Sequence, residues 1–395
     1  MEYSNHQGQP TRESSSKEIL KPQTPSSDGF HLPIEITSNI LSRLPVPTVL
    51  LFRLVCKAWS HLTRTDSFIQ QHLENFGKKE KDYGSVYIRN DFFEYTLFYC
   101  SNGHFRSVKI DEISPEWFYI SNSCHGLVCV YNQDISIVTI RIINPAIDDN
   151  FVELPDVGMT KSKVLNVCLC YDDQANNYKA VRFYCSSNGK GMGIEVLTLG
   201  DTTWRQVGEI GEIPTGFTDV VQFASGAMHW KAYGEKIFFF KTTEETFGFI
   251  ESPDVDADDD DMIMRMRKQI DLTVYEGCLC FVTRHWHPWK LKFFVMEDYV
   301  HRVWIEYVID LMKMDETPFS DINGFDHCSE YRSIKVQRGK FLLDNSPRYE
   351  SSPKKKLYYY NPKTESFENC DDTQEKGYQY KESFVSASKF CNEEI

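Results

Sequence analysis

Cys278, Cys280, His285 and His287 place four potential metal ligands within ten residues. Thiolate and imidazole together are zinc chemistry, but structural zinc sites space their cysteines roughly two to four residues apart. Here the two cysteines flank Leu279 inside the apolar run EGCLCFV, and alternate residues of a strand share one face. The pair therefore reads as strand packing, and neither a metal nor another cofactor is expected. The adjoining HWHPW stretch offers something different. Aromatic and imidazole groups beside Pro288 suit a stiff contact loop, which makes His285, Trp286, His287 and Trp289 the candidate substrate-binding residues. The alternative is a loop folded onto its own aromatics.

The other chemistry-bearing stretches fail on their spacing. Asp254, Asp256 and Asp258 to Asp261 imitate a calcium loop, yet the sixth position is Asp259 where Gly is needed and the twelfth is Arg265 where a bidentate Glu is needed. A solvated insertion between β units is expected there. Asn188-Gly189-Lys190-Gly191-Met192-Gly193 lacks the Lys-Ser/Thr pair and the following helix of a phosphate loop, so it reads as a turn. Lys354 to Lys356 is a short basic run beside a strand and reads as edge-strand charge. The chain contains no Gly-x-Ser-x-Gly elbow and no His-Glu-x-x-His pair. A non-catalytic chain is expected; the alternative of another class is a propeller enzyme with a metal site near residues 278–287.

The elements that must carry these residues are mostly strands. Beyond residue 83 apolar residues and aromatics alternate with polar ones and are broken by Gly, Asn, Asp and Ser. One unit recurs: an apolar strand, a polar turn, and a second strand bearing a large aromatic. It appears in IRIINPAIDDNFVELP at Phe151, IEVLTLGDTTWRQV at Trp204, KIFFFKTTEETFGFI at Phe247, LKFFVMEDYVHRVWIE at Trp304 and KLYYYNPKTESFEN at Phe367. A Gly-led strand precedes several of them: HGLVCV from His125, SGAMHW from Ser225, EGCLCF from Glu276. The aromatics lie 53, 43, 57 and 63 residues apart, close to the spacing of propeller blades. The unevenness leaves blade insertions or an irregular sandwich open. A six- or seven-bladed β-propeller is the expectation for residues 83–395.

Charge narrows the partners. Lys and Arg number 43 against 57 Asp and Glu, a net charge of -14, while the first 76 residues carry seven of each sign. The excess lies wholly in the β region, which repels phosphate backbones and anionic lipid, so neither nucleic acid nor membrane is an expected partner. The opening residues MEYSNHQGQPTRESSSKE have no apolar stretch of a secretory leader. Twelve cysteines are therefore expected as reduced thiols in the cytoplasm, the nucleus or both.

One block breaks the β pattern. Residues 1–29 are polar and aperiodic, expected to be disordered. Then Pro33 suits a first helical turn, and Ile36, Ile40, Leu41 and Leu44 recur at helical spacing until Pro45 and Pro47. Leu51, Val55, Trp59 and Leu62 continue a helical series, Asp66 is a candidate cap for Phe68, Ile69 and Leu73, and Phe76-Gly77 reads as an end. Three helices of this size hide little apolar area among themselves, so a partner surface is a physical expectation. Whether Leu41, Val55 and Trp59 face that partner or the block's own core stays open on these residues.

Leu32-Pro33-x-Glu35, Ile40-Leu41-x-x-Leu44-Pro45 and Val55-Cys56-Lys57-x-Trp59-x-x-Leu62 resemble the F-box motif of large plant families. SCHGLVCVYN, INPAIDDNFVELP, CYDDQANNYKAVRFY, IEVLTLGDTTWRQV, FASGAMHW and LTVYEGCLCFV, in that order, resemble the kelch-like F-box-associated domain. The resemblance implies an α+β multidomain chain: a three-helix F-box at 30–76, a linker at 77–82 and the propeller-like domain at 83–395. It further implies that Leu32, Pro33, Ile36, Ile40, Leu41, Leu44, Val55, Cys56 and Trp59 form or support a face docking on a Skp-type adaptor. Through that adaptor the chain would join a cullin–RING ubiquitin ligase core, with an unidentified protein substrate on the β domain. Such a chain contributes proximity and no nucleophile. The resemblance also reaches pollen F-box proteins that recognise pistil ribonucleases, a basic target that an acidic domain would suit.

Overall fold

The computed structural model describes residues 32–77, 84–310, 331–345, 356–370 and 378–390, less short breaks at 92–93, 102–103, 112–117, 133–137, 148–150, 156–162, 187–188, 215–220, 233–235, 254–269, 286–289 and 338–339. The polar tail, the acidic run from Asp254 to Asp261, and Trp286, His287 and Trp289 lie outside the described residues.

Four helices stand at the front where three are expected: α1 (Ile34–Leu41), α2 (Val46–Phe52), α3 (Lys57–Leu62) and α4 (Asp66–Gly77). Pro33 and Pro45 precede α1 and α2, and Pro47 sits in the first turn of α2, where a missing N–H costs nothing. The α2–α3 break falls at Arg53–Cys56. Leu54 N donates to Leu51 O at 3.0 Å and Val55 N to Phe52 O at 3.1 Å, tightening the helix end. Cys56 is extended, and its Sγ accepts from Trp59 N at 3.5 Å to open α3. The cap of α4 is Thr65 rather than Asp66: Thr65 Oγ1 accepts from Phe68 N at 3.3 Å, while the Asp66 carboxylate turns to Lys389.

Six four-stranded antiparallel sheets follow, one after another along the chain. The first joins β1 (Gly84–Asp91), β2 (Glu94–Ser101) and β3 (His104–Asp111) to the last strand, β24 (Tyr378–Tyr380). The second holds β4 (Phe118–Cys124), β5 (Leu127–Asn132), β6 (Ile140–Ile143) and β7 (Val152–Glu153); the third, β8 (Val164–Asp172), β9 (Asn177–Cys185), β10 (Met192–Thr198) and β11 (Arg205–Ile210). The fourth holds β12 (Gln222–Ala224), β13 (Ala227–Ala232), β14 (Lys236–Lys241) and β15 (Phe247–Glu251); the fifth, β16 (Ile270–Tyr275), β17 (Cys278–His285), β18 (Lys290–Asp298) and β19 (Val303–Asp310). The sixth is β20 (Tyr331–Gln337), β21 (Lys340–Asn345), β22 (Lys356–Asn361) and β23 (Ser366–Cys370). Lys356 thus opens an inner strand, not an edge.

The sequence repeat maps onto this frame. Phe151 and Trp204 immediately precede β7 and β11, and Phe247, Trp304 and Phe367 occupy the first two positions of β15, β19 and β23. Each marks entry into the outer strand of its sheet. The first sheet follows the same pattern at a position the sequence reading passed over, Phe105, second in its outer strand β3, while β24 from the far end of the chain forms its opposite edge. The Gly-led strands begin at two-residue hairpins, His125-Gly126 (φ 48° and 80°), Ser225-Gly226 (51° and 72°) and Glu276-Gly277 (51° and 81°). Both residues are left-handed there, which matches the natural twist of the flanking strands. The glycine-rich stretch near residue 190 is the β9–β10 turn, where Ser186 N donates to Gly191 O at 2.8 Å.

Buried side chains fill each seam between successive sheets. Leu169 and Val152 lie between the second and third, Phe183 and Trp230 between the third and fourth, Leu272 and Ile237 between the fourth and fifth, Phe293 and Phe341 between the fifth and sixth. The seam between the first two sheets differs. Val86, Leu97, Val128 and Ile143 there share one core with Leu41, Val46, Val49 and Phe68 of the helices.

Candidate functional site

The helical block presents two apolar surfaces. On α1, Thr37 and Leu41 turn inward one helical turn apart, while Ile36 and Ile40, with the same spacing, are about half exposed. Leu32 and Ile34 are exposed just before and at the start of the helix. On α2, Val46 and Val49 are buried, whereas Leu51 at its end and Leu54 and Val55 in the following turn are exposed, Leu54 to 82%. Seven large aliphatic side chains therefore stand in water on a block of four short helices. Each would contribute about 1.5–3 kcal/mol if fully covered by another chain.

The opposite surface is covered by a strap, residues 381–390, that runs on from β24. Glu382, Ser383, Phe384, Val385 and Ala387 are all buried. Pro45 has no side chain to cap α2, and the carboxylate of Glu382, 336 residues away, accepts the first free N–H, from Val46, at 2.8 Å. An anion at a helix N-terminus is favoured by both the open donor and the helix dipole. The other Glu382 oxygen accepts from the Tyr99 hydroxyl of β2. Phe384 lies against Phe68 and edge-on to His72, with ring centroids 5.8 Å and 4.8 Å away, and the Arg53 guanidinium sits 4.9 Å over its face. Arg53 also holds Thr63 through Oγ1 at 3.0 Å and the carbonyl at 2.9 Å. Burial and the neighbouring Arg64 lower its pKa to about 10, which leaves it charged at neutral pH.

Two residues of the second sheet lock the strap from below. Asn144 is fully buried; its Nδ2 donates to Ser383 O at 3.0 Å and Val385 O at 2.8 Å, and its Oδ1 accepts from Tyr380 Oη at 2.8 Å and Ala146 N at 3.1 Å. Gly126, at φ 80°, lies so close that a Cβ there would meet Ser383 Oγ at 2.5 Å and its backbone nitrogen at 2.9 Å. His72 of α4 completes the seam. Its Nε2 bonds to Leu44 O at 3.0 Å, and burial pushes its pKa down to about 4 against the opposing effect of that hydrogen bond. The helices are thereby packed against the β domain.

Comparison with known families separates the same two parts. Residues 30–71 match the F-box domain, and residues 93–392 match the F-box associated beta propeller domain. The chain belongs to the F-box proteins with an F-box-associated propeller. It is similar to three Arabidopsis thaliana proteins: the putative F-box protein At1g33530 (27% identical, 58% of this chain and 52% of that one), the putative F-box protein At1g12855 (24%, 74% and 71%) and the putative F-box/kelch-repeat protein At1g12870 (22%, 74% and 75%). This chain thus spans about half the length of the first. Among solved structures, the β-propeller domain of the Trilobed protease from Pyrococcus furiosus is 17% identical over 66% of this chain and 74% of that one, with a TM-score of 0.36.

Within the F-box, the residues singled out from the sequence divide. Leu32, Pro33, Ile36, Ile40, Val55 and Cys56 are exposed. Leu41 is not part of the open face: at 2% exposure it is core, because its turn of α1 lies on Val46, Val49 and Phe68. Leu44 and Trp59 are half-buried and pack on that same core, Trp59 edge-on to Phe52 at 5.7 Å. These three support the face from beneath. Sequence reasoning passed over Ile34 and Leu54, and it read Leu51 as part of a helical series without distinguishing its exposed end; Leu51, Leu54 and Val55 follow i, i+3, i+4 spacing, the available signal.

The cysteine pair behaves as strand packing. Cys280 is buried between the fifth and sixth sheets with Cys278 packed against the same cluster, and burial holds the Cys280 thiol strongly protonated. His285 is the last residue of β17.

Proposed function

We propose that this chain is the substrate-recognition subunit of a Skp–cullin–F-box ubiquitin ligase. Its F-box would dock on a Skp-type adaptor through Leu32, Ile34, Ile36, Ile40, Leu51, Leu54 and Val55, and the propeller would hold a protein substrate. The observation that carries this reading is the asymmetry of the F-box: one apolar surface is sealed by the chain's own C-terminal strap, and the apolar side chains on the other side stay exposed among the described residues. A chain of this kind performs no bond chemistry. It lowers the entropic cost of bringing a substrate lysine to a ubiquitin-conjugating enzyme, and the strap supports that role by fixing the angle between docking face and propeller.

The test is capture of a purified Skp-type adaptor by the full chain and by an Ile36→Asp, Leu54→Asp variant. Both positions are exposed, so the variant is expected to fold and to lose the adaptor. Adaptor retained by the folded variant, or not captured by the native chain, would overturn the reading.

A further inference from the structure

We infer that the C-terminal strap sets the affinity of the docking face: Glu382 and Phe384 hold α2 at its two ends and so preorganise Leu51, Leu54 and Val55 for the adaptor. This rests on the proposed reading and deepens it, by naming positioning residues for adaptor binding at the far end of the chain.

Helix α2 has seven residues, well below the roughly 12 to 15 at which an isolated helix begins to persist in water. Its N-terminus has no side-chain cap of its own, and the Glu382 carboxylate fills that place on the Val46 N–H at 2.8 Å. Its C-terminal cap is Arg53, whose guanidinium lies 4.9 Å over the ring of Phe384. Residues two apart in one strap thus grip both ends of one helix, while Val46 and Val49 between them sit in the core shared with the strands.

The exposed side chains depend on that grip. Leu54 and Val55 stand in the turn that follows Arg53, and their N–H groups bond back to Leu51 O and Phe52 O. Arg53 braces the far side of the turn through Thr63 Oγ1 and the Thr63 carbonyl, just after α3. The turn is therefore anchored through α2 and through Arg53, and both are tied to the strap. A turn without those anchors would have to be ordered on binding, at a cost in affinity.

The strap is in turn one piece with the strands. It continues from β24, which pairs with β1 from Gly84↔Tyr380 to Val86↔Tyr378, and the second Glu382 oxygen takes the Tyr99 hydroxyl of β2. Asn144, just after β6, holds its main chain at Ser383 and Val385. Linkage makes the effect reciprocal: a seated strap that favours adaptor binding is itself favoured by bound adaptor, by the same factor.

The experiment measures the affinity of a purified Skp-type adaptor for the full chain and for its Glu382→Gln, Phe384→Leu and Lys389→Ala variants in buffer without denaturant, with urea unfolding of each to establish that it is folded. Phe384→Leu keeps an apolar side chain but removes the flat ring beneath Arg53, and is expected to weaken adaptor binding about tenfold. Glu382→Gln is expected to weaken it less. Lys389→Ala breaks the exposed contact of the strap with Asp66 of α4 and should leave affinity unchanged. A strap with a merely structural role would lower the unfolding midpoint of the first two variants without moving their affinity. Amide exchange in the native chain is a second readout that needs no variant to fold: saturating adaptor is expected to slow exchange of the Val385 N–H, which bonds to Ser383 Oγ at 3.1 Å. Native affinity in the folded Phe384→Leu and Glu382→Gln variants, an equal loss in Lys389→Ala, or Val385 exchange unmoved by adaptor would overturn the inference. Any of these with adaptor still captured removes the strap's role alone, whereas no capture by the native chain removes the ligase reading and this inference with it.

Discussion

Leu41, Val46, Val49 and Phe68 on one side of the F-box and Ile36, Ile40, Leu51 and Leu54 on the other are side chains of the same kind with opposite exposure. Hydrophobicity does not distinguish the two sides; what covers them does. The first side is closed by the strands β1, β2 and β5 and by a strap synthesised more than 300 residues later, with Glu382 capping α2 and Phe384 seated among Phe68, His72 and Arg53. The second has no such cover among the described residues. A short helical block gains stability from the contacts it completes in cis and specificity from those it leaves to a partner.

The sharpest way to break that contrast is to empty the strap. Phe384→Ala removes the ring that three groups of the helical block touch, and a cavity of that kind is expected to cost about 3–5 kcal/mol. The loss is read from the midpoint of urea unfolding, together with faster amide exchange in α2 and α4. Loss confined to the strands, with the helices unchanged, would mean that the helices do not depend on the strap.

Acid should open the same seam, with an effect nearly as large. His72 titrates near 4 when folded because of burial and near 6.5 when unfolded. Between those values the unfolded chain binds the extra proton, so stability is full above about pH 6.5 and falls as pH drops towards 4, by up to about 3 kcal/mol. His229 in the fourth sheet is also lowered to about 4 by burial and adds its own acid sensitivity. A His72→Gln variant is therefore expected to lose only part of the pH dependence, and exchange in α4 near pH 4 should show which part.

The limits of sequence reading follow the same line between near and distant contacts. The five aromatics from Phe151 to Phe367 mark outer strands because each belongs to a local hairpin, where period and turn chemistry are written side by side. The two-residue turns at His125, Ser225 and Glu276 are legible for the same reason. The prolines of the F-box mark helix starts well, but Pro47 reads equally as a stop, and Cys56 as a cap depends on a thiol accepting from Trp59. The strap was illegible. KESFVSASKF has no period, and its meaning lies in Asn144, Tyr99 and Val46, which are far away in sequence. Whether Leu41 lies on the docking face or in the core stays open in the sequence for the same reason: an i, i+4 pattern shows that a helix has an apolar side without showing which part the rest of the chain will cover.

A smaller loss is expected from Glu382→Gln. The amide keeps one acceptor for either Val46 N–H or the Tyr99 hydroxyl, and the group left without its charged partner should cost about 1–3 kcal/mol. Exchange of the Val46 amide distinguishes the two outcomes, because it rises only if the helix cap is the bond that fails.

The smallest effect on stability is expected where the effect on partner binding is largest. Leu54 is 82% exposed in the turn after α2, and its backbone N–H bonds to Leu51 O whatever side chain it carries. Leu54→Asp should therefore leave the unfolding midpoint of the isolated chain within about 0.5 kcal/mol of the native value. In the presence of a Skp-type adaptor the comparison reverses: a bound partner stabilises the native chain by mass action, and the variant should forgo most of that gain. The readout is the shift in unfolding midpoint on adding adaptor, measured for both chains. An equal shift would place Leu54 outside the contact and confine the docking face to α1, whereas a fall in stability without adaptor would show that the turn is supported by its own side chains after all.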